Sequence, residues 1–200
     1  MSRMEEINEI CKRSFKTHKA TLIQNTDRYL AIDWRRSDGS GEYYVNYIVD
    51  KKRGSLIVSG DLGDSIATWY NQLDPANLKV YVKDIGYYIS KFQASSDCYC
   101  FETENILADL KDELDTFEDD CVIIDTEIHS IDEFWKMVEE EVDNCIYGDK
   151  FIPSDSLNYI FEEIGCTDTF EWLYGCGRRI KTRVYLWAEG FRMACEQLGI

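Results

Sequence analysis

Apolar residues recur with two different periods along the 200-residue chain, and the change of period divides it. Met4, Ile7, Cys11 and Phe15 fall at near-helical spacing and predict a first helix. The period then shortens to two. Residues 21–25 and 29–35 are β-rich runs separated by Thr26 and Asp27, a hairpin turn signal. In the second run Leu30, Ile32 and Trp34 alternate with Ala31, Asp33 and Arg35, so one face packs on a core and the other carries polar groups. Residues 43–50 follow a Gly-rich turn at 37–41, and 56–59 follow a basic turn at 51–54. Connections this short join antiparallel neighbours and predict a four-stranded meander.

After the meander the pattern becomes helical. Asp74 and Pro75 make a helix start, with Leu78, Val82 and Ile85 behind it. Within 102–117 the apolar residues Ile106, Leu107, Leu110, Leu114 and Phe117 form one stripe, opposite Glu104, Asp109, Asp112, Glu113 and Asp115. Residues 121–125 read as a short strand. Ser130 and Glu133 have capping-box spacing ahead of Phe134, Trp135, Val138 and Val142. Leu157, Ile160, Phe161 and Ile164 mark a further helix, and Asp168 with Glu171 reads as the cap of the next. A last stripe runs through Ile180, Val184, Trp187, Phe191, Cys195 and Leu198. The expected fold is α+β, with an N-terminal four-stranded antiparallel sheet and flanking helices over 1–96, and an acidic, mostly helical region packed on it over 97–200. The two could also form a single domain.

Charge sharpens that division. The chain has 22 Lys and Arg against 38 Asp and Glu, a formal charge of −16. Residues 97–171 alone hold 3 basic and 24 acidic residues, while 1–60 and 172–200 each carry +3. Such a balance disfavours direct general nucleic-acid binding by the acidic region, because phosphates repel it. No apolar run approaches the roughly 18–20 residues that span a bilayer, and the first residues carry acids and lysines where a signal peptide is apolar. The expectation is a protein of the cytoplasm, with no membrane partner. The eight cysteines are scattered and mostly on apolar stripes, which suits buried free thiols better than a disulfide framework.

Catalytic motifs are weak. Asp125 and Glu127 end an apolar strand in an Asp-x-Glu pattern able to hold divalent metal, but few residues remain to complete such a domain. Gly60, Asp61, Gly63, Asp64 and Ser65 join a strand to an expected helix, yet lack the Lys of a phosphate loop and carry two acids. In a metal-binding version, Asp33, Asp61 and Asp64 gather around one ion. Cys98 and Cys100 have no second Cys pair, and His18 and His129 read as helix-end or surface residues. No catalytic residue and no cofactor are implied.

The acidic block is the remaining feature. Carboxylates spaced along rigid helices resemble a row of phosphates and attract a protein with a basic nucleic-acid channel. The residues expected to carry that contact are Asp112, Glu113, Asp115, Glu118, Asp119, Asp120, Glu139, Glu140, Glu141 and Asp143.

Two stretches carry a family resemblance. Tyr29, Leu30, Ala31, Ile32, Asp33, Trp34 and Arg35, with 43–49 and 59–64, form one. Arg183, Val184, Tyr185, Leu186 and Trp187, continuing through Gly190, Phe191 and Arg192 to Leu198, form the other. Together they cover about a third of the chain, which resembles small proteins encoded by phages and prophages of Gram-positive bacteria. Phage proteins of this size and acidity include inhibitors of host defence nucleases, anti-CRISPR proteins among them. The resemblance implies a phage-encoded inhibitor in the host cell cytoplasm, whose partner is a host CRISPR effector nuclease or its ribonucleoprotein complex. The alternatives are a metal-dependent nuclease or phosphate-transfer enzyme, and a phage structural or interaction module that forms a homodimer through its basic ends and acidic middle.

Overall fold

A computed structural model describes residues 3–115, 130–166 and 168–200. The fold is α+β, and the chain divides into two compact units, one of Met1–Cys98 with Lys181–Ile200 and one of Tyr99–Ile180.

The first unit is built on a sheet. Helix α1 (Arg3–Ser14) is followed by β1 (His18–Asn25), β2 (Tyr29–Arg36), β3 (Val45–Asp50), β4 (Ser55–Gly60) and β5 (Ser65–Thr68). Helices α2 (Pro75–Lys83) and α3 (Ile85–Ile89) then lead to β6 (Phe92–Ser95). All neighbours pair antiparallel in the order β1-β2-β3-β4-β5-β6. The expected four-stranded sheet is therefore six-stranded. The segment after Gly63, expected to be helical, is β5, and β6 returns after two helices to pair with it. Each of these strands has four residues, too few to show an alternation. In β5 only Ser65 and Ala67 turn inward.

Leu30, Ile32, Trp34, Val45, Tyr47, Val49, Leu56 and Val58 are all essentially inaccessible and make one face of the sheet. The final helix, α8 (Thr182–Leu198), packs on β1, β2 and β3 and against α1, α2 and α3. Its Val184, Trp187, Phe191 and Cys195 are buried, as their spacing predicts. Ile180, expected on the same stripe, instead pairs with Tyr99 in a short ribbon. Tyr47 Oη donates to the Trp187 carbonyl at 2.9 Å, and its ring meets Phe191 edge-on. This approach needs Gly190, where a Cβ would come within 2.4 Å of Tyr47 Oη and 3.2 Å of the Phe15 ring. His18 does not end a helix at the surface. It opens β1, is 5% exposed, lies against Phe15 and Trp34, and contacts the Tyr43 carbonyl through Nε2 at 3.2 Å.

The second unit is mostly helical. Strand β7 (Tyr99–Cys100) pairs with β10 (Arg179–Ile180), and β8 (Ile146–Tyr147) pairs with β9 (Lys150–Phe151). Between them lie α4 (Thr103–Asp115), α5 (Ile131–Asn144), α6 (Asp155–Glu163) and α7 (Thr169–Leu173). Ile106, Leu110 and Leu114 of α4 meet Phe134, Val138 and Val142 of α5 and Leu157, Ile160 and Phe161 of α6 in one core. Ser130 caps α5 by accepting from the Glu133 amide at 3.1 Å, and Ser154 caps α6 in the same way through Leu157. Asp168 adopts a left-handed conformation and makes no side-chain cap, so the expected cap there does not form. The strand expected at 121–125 lies outside the described residues.

Burial pushes the thiols of Cys11, Cys176 and Cys195 up to about 12, which leaves them protonated at neutral pH. Among the described residues no helix is long and apolar enough to cross a membrane.

Candidate functional site: the carboxylate face of the helical unit

The division into units concentrates the charge further. Residues 99–180 hold 5 basic and 23 acidic residues, whereas the sheet unit holds 17 and 15. Virtually all the excess negative charge of the molecule thus sits on the smaller unit.

Helix α5 organises part of it. Phe134, Val138 and Val142 are buried at i, i+4 and i+8, which turns the other side of the helix outward. Asp132, Glu133, Glu139, Glu140 and Asp143 are all exposed. At 3.6 residues per turn these five fall within an arc of about 120°. Along the helix axis, at about 1.5 Å per residue, they fall in two clusters, Asp132 with Glu133 and, roughly 9 Å further on, Glu139 and Glu140 with Asp143. Lys136 lies inside the same arc and reaches Glu140 at 4.0 Å, an exposed pair of small energetic weight. On α4, Asp112 and Glu113 are exposed, Asp112 on the side away from Ile106 and Leu110 and Glu113 at the edge of their face.

Not every expected contact residue is equally available. Glu141 is half-buried and accepts from Ser154 Oγ at 2.6 Å, bracing the turn that starts α6. Asp143 accepts from Thr103 Oγ1 and so ties α5 to the beginning of α4. Asp115 closes α4, and Glu118, Asp119 and Asp120 lie outside the described residues. Among the described expected residues Asp112, Glu113, Glu139, Glu140 and Asp143 are exposed, and of these Asp143 is engaged by Thr103.

One acid missed by the sequence reading is structural. Asp109 receives Arg179 Nη2 at 2.6 Å and Nη1 at 2.8 Å, together with the Gly177 amide at 2.7 Å. Those hydrogen bonds, Arg179 foremost, hold its carboxyl below the usual carboxylate range. Gly177 has φ +72°, and a Cβ there would sit 2.2 Å from Ile106 Cγ1. The signal in the sequence was the position of Asp109 beside the apolar stripe, with a lone Arg178-Arg179 pair near the end of an acidic region.

The metal site expected at Asp33, Asp61 and Asp64 is not assembled among the described residues. Asp33 accepts from Tyr44 Oη at 3.2 Å, and Asp61 accepts from the Tyr43 amide at 2.9 Å. Among the described residues, no three His, Cys, Asp or Glu side chains gather as a metal site. Asp125, Glu127 and His129 lie outside the described residues. In comparison with known proteins, the chain matches no family model, no curated sequence and no solved structure.

Proposed function

We propose that the helical unit is a binding module whose carboxylate face enters the cationic nucleic-acid channel of a partner and competes there with nucleic acid. The observation that carries this reading is the arc of five exposed acids on α5, opposite a buried apolar stripe. A rigid, preordered row of charge raises the association rate and excludes nucleic acid from the same channel. The partner is a host CRISPR effector nuclease or its ribonucleoprotein complex, and the chain is a phage-encoded inhibitor. That part of the proposal draws on the sequence resemblance and on the chemistry of effector channels, which hold heteroduplexes through positive charge.

The test is cleavage of target DNA by a panel of purified CRISPR effectors with the full chain in excess. The reading expects at least one effector to be blocked. Changing Asp112, Glu113, Glu139 and Glu140 together to Lys should relieve the block while the fold persists. Cleavage unaffected for every effector, or a quadruple variant as inhibitory as the original, would contradict it.

A further inference from the structure

The sheet has a second face, opposite the one that α8 covers. Residues paired across antiparallel strands share a face, so the register names its central line: Gln24, Ala31, Ile48, Ile57, Ile66 and Ala94, one from each strand. Five of the six are apolar. Directly opposed side chains stand about 5 Å apart, so the five make one continuous stripe. Ile57 and Ile66 are 37% and 40% exposed, Ala94 is exposed, and Ala31 and Ile48 are half-buried.

The lines on either side are polar. Thr21, Asp33, Asn46 and Ser59 form one, and Tyr29, Asp50, Ser55 and Thr68 the other. Their acids are engaged within the unit, since Asp33 accepts from Tyr44 Oη at 3.2 Å and Asp50 from Arg28 Nη2 at 3.1 Å. What the middle of the face offers a partner is apolar contact.

The order of sizes along the stripe selects that partner. Ala, Ile, Ile, Ile, Ala reads the same in both directions. A twofold axis lying along the strand direction over Ile57 sets Ile57 on the Ile57 of another copy, Ile48 on its Ile66 and Ala31 on its Ala94, as an isologous contact requires. The two faces then pack as in a β-sandwich, about 10 Å apart. Area sets the strength: five strand spacings of about 4.8 Å by six residues of about 3.3 Å give roughly 500 Å² per copy and about 1,000 Å² in the pair, the lower bound of a specific interface.

We infer that the open face of the sheet is a self-association surface, on which a second copy of this chain packs through Ile48, Ile57 and Ile66. The dimer is transient. Because each copy carries a formal charge of −16, it forms more readily as salt screens the repulsion between copies. Binding of the acidic helices in a cationic channel has the opposite salt dependence, so the two readings stand or fall separately.

Sedimentation velocity of the full chain from about 10 μM to about 1 mM reads the association. A concentration-dependent dimer is expected, several-fold tighter at about 500 mM than at about 50 mM salt. Ile57→Lys sets two cations face to face and should weaken it at least tenfold. Val80→Lys makes the same change at a position of α2 that is 68% exposed, and should leave it unaltered. In samples that mix isotope-labelled and unlabelled copies, methyl contacts are expected between Ile57 and the partner's Ile57, and between Ile48 and the partner's Ile66. A chain that stays monomeric throughout would overturn the inference and leave the stripe to a different protein. So would a dimer that salt weakens, which would join basic to acidic surfaces, or equal behaviour of the two Lys variants.

Discussion

The two units solve the same problem of burying a core with opposite treatments of charge. In the sheet unit, basic and acidic residues nearly balance, and several are tied to one another: Arg28 with Asp50, Arg36 with Glu42, and Arg192 with Glu189 and Glu196. In the helical unit, 23 acids face 5 bases, and Asp109 makes a well-organised ion pair with Arg179. A core of Ile, Leu, Phe and Val suffices to hold those helices together without balancing charge outside. Unlike Glu141 and Asp143, which brace neighbouring elements, the exposed Glu139 and Glu140 on α5 stand apart from the core, and self-repulsion among such carboxylates works against the compact state. That contrast is the physical basis for assigning the acids a role in binding.

The strongest way to break the comparison is to damage one core and watch the other. Gly190→Ala would drive a Cβ into Tyr47 Oη and strain the bond to the Trp187 carbonyl. Gly177→Ala would combine a left-handed backbone with a clash against Ile106. Each should cost roughly 2–4 kcal/mol. Hydrogen exchange should show Gly190→Ala loosening α8 with α5 unaffected, and Gly177→Ala doing the reverse. Loss of protection in both units from either change would show them to be one cooperative body.

A smaller effect is expected from the ion pair. Arg179→Ala leaves Asp109 with the Gly177 amide alone, at a cost of about 1–2 kcal/mol after allowing for its partial exposure. Because Asp109 is held below its ordinary value of 3.8, its contribution is complete above that pH and is lost as the pH falls through the lowered value. The stability difference between the variant and the original protein should therefore be full at pH 7 and shrink progressively as the pH is lowered below 3.8. A difference that stays constant over that range would point to lost packing instead of lost charge.

The smallest effect separates the units by pH. Burial lowers the titration of His18 below its ordinary 6.5. Its folded-state stability is present above 6.5 and declines as the pH drops through the lowered value, because the unfolded chain binds the proton more readily. The sheet unit should soften on going from pH 7.5 to 5.5, and His18→Gln should flatten that slope. The helical unit, whose only histidine is His129 outside the described residues, has no comparable charge change among its described residues over this interval.

How much of this was legible in the sequence depended on the range of the interaction. The alternation of Leu30, Ile32 and Trp34 and the Ser130 cap are local patterns, and both appear as read. Strands β5 and β6 were missed because four residues carry almost no periodicity, and their pairing spans two helices. The contact of Tyr47 with Trp187 joins residues 140 positions apart, and nothing local announces it. Asp109 was read as one more solvated acid, since its partner Arg179 is 70 positions away. The exposed acids at 112, 139 and 140 were legible because helix phase alone decides which side faces out, whereas the place of Glu113 beside Ile106 and the internal engagement of Glu141 and Asp143 depend on the neighbouring elements.

The most direct measurement is the affinity of the full chain for an inhibited effector as a function of salt, compared with the Asp112, Glu113, Glu139 and Glu140 to Lys variant. A carboxylate row that displaces phosphates should weaken steeply between 50 and 300 mM salt, about as nucleic acid itself does, and the variant should bind at least 100-fold more weakly with a much shallower slope. An affinity independent of salt, or a slope that survives the four reversals, would contradict the account.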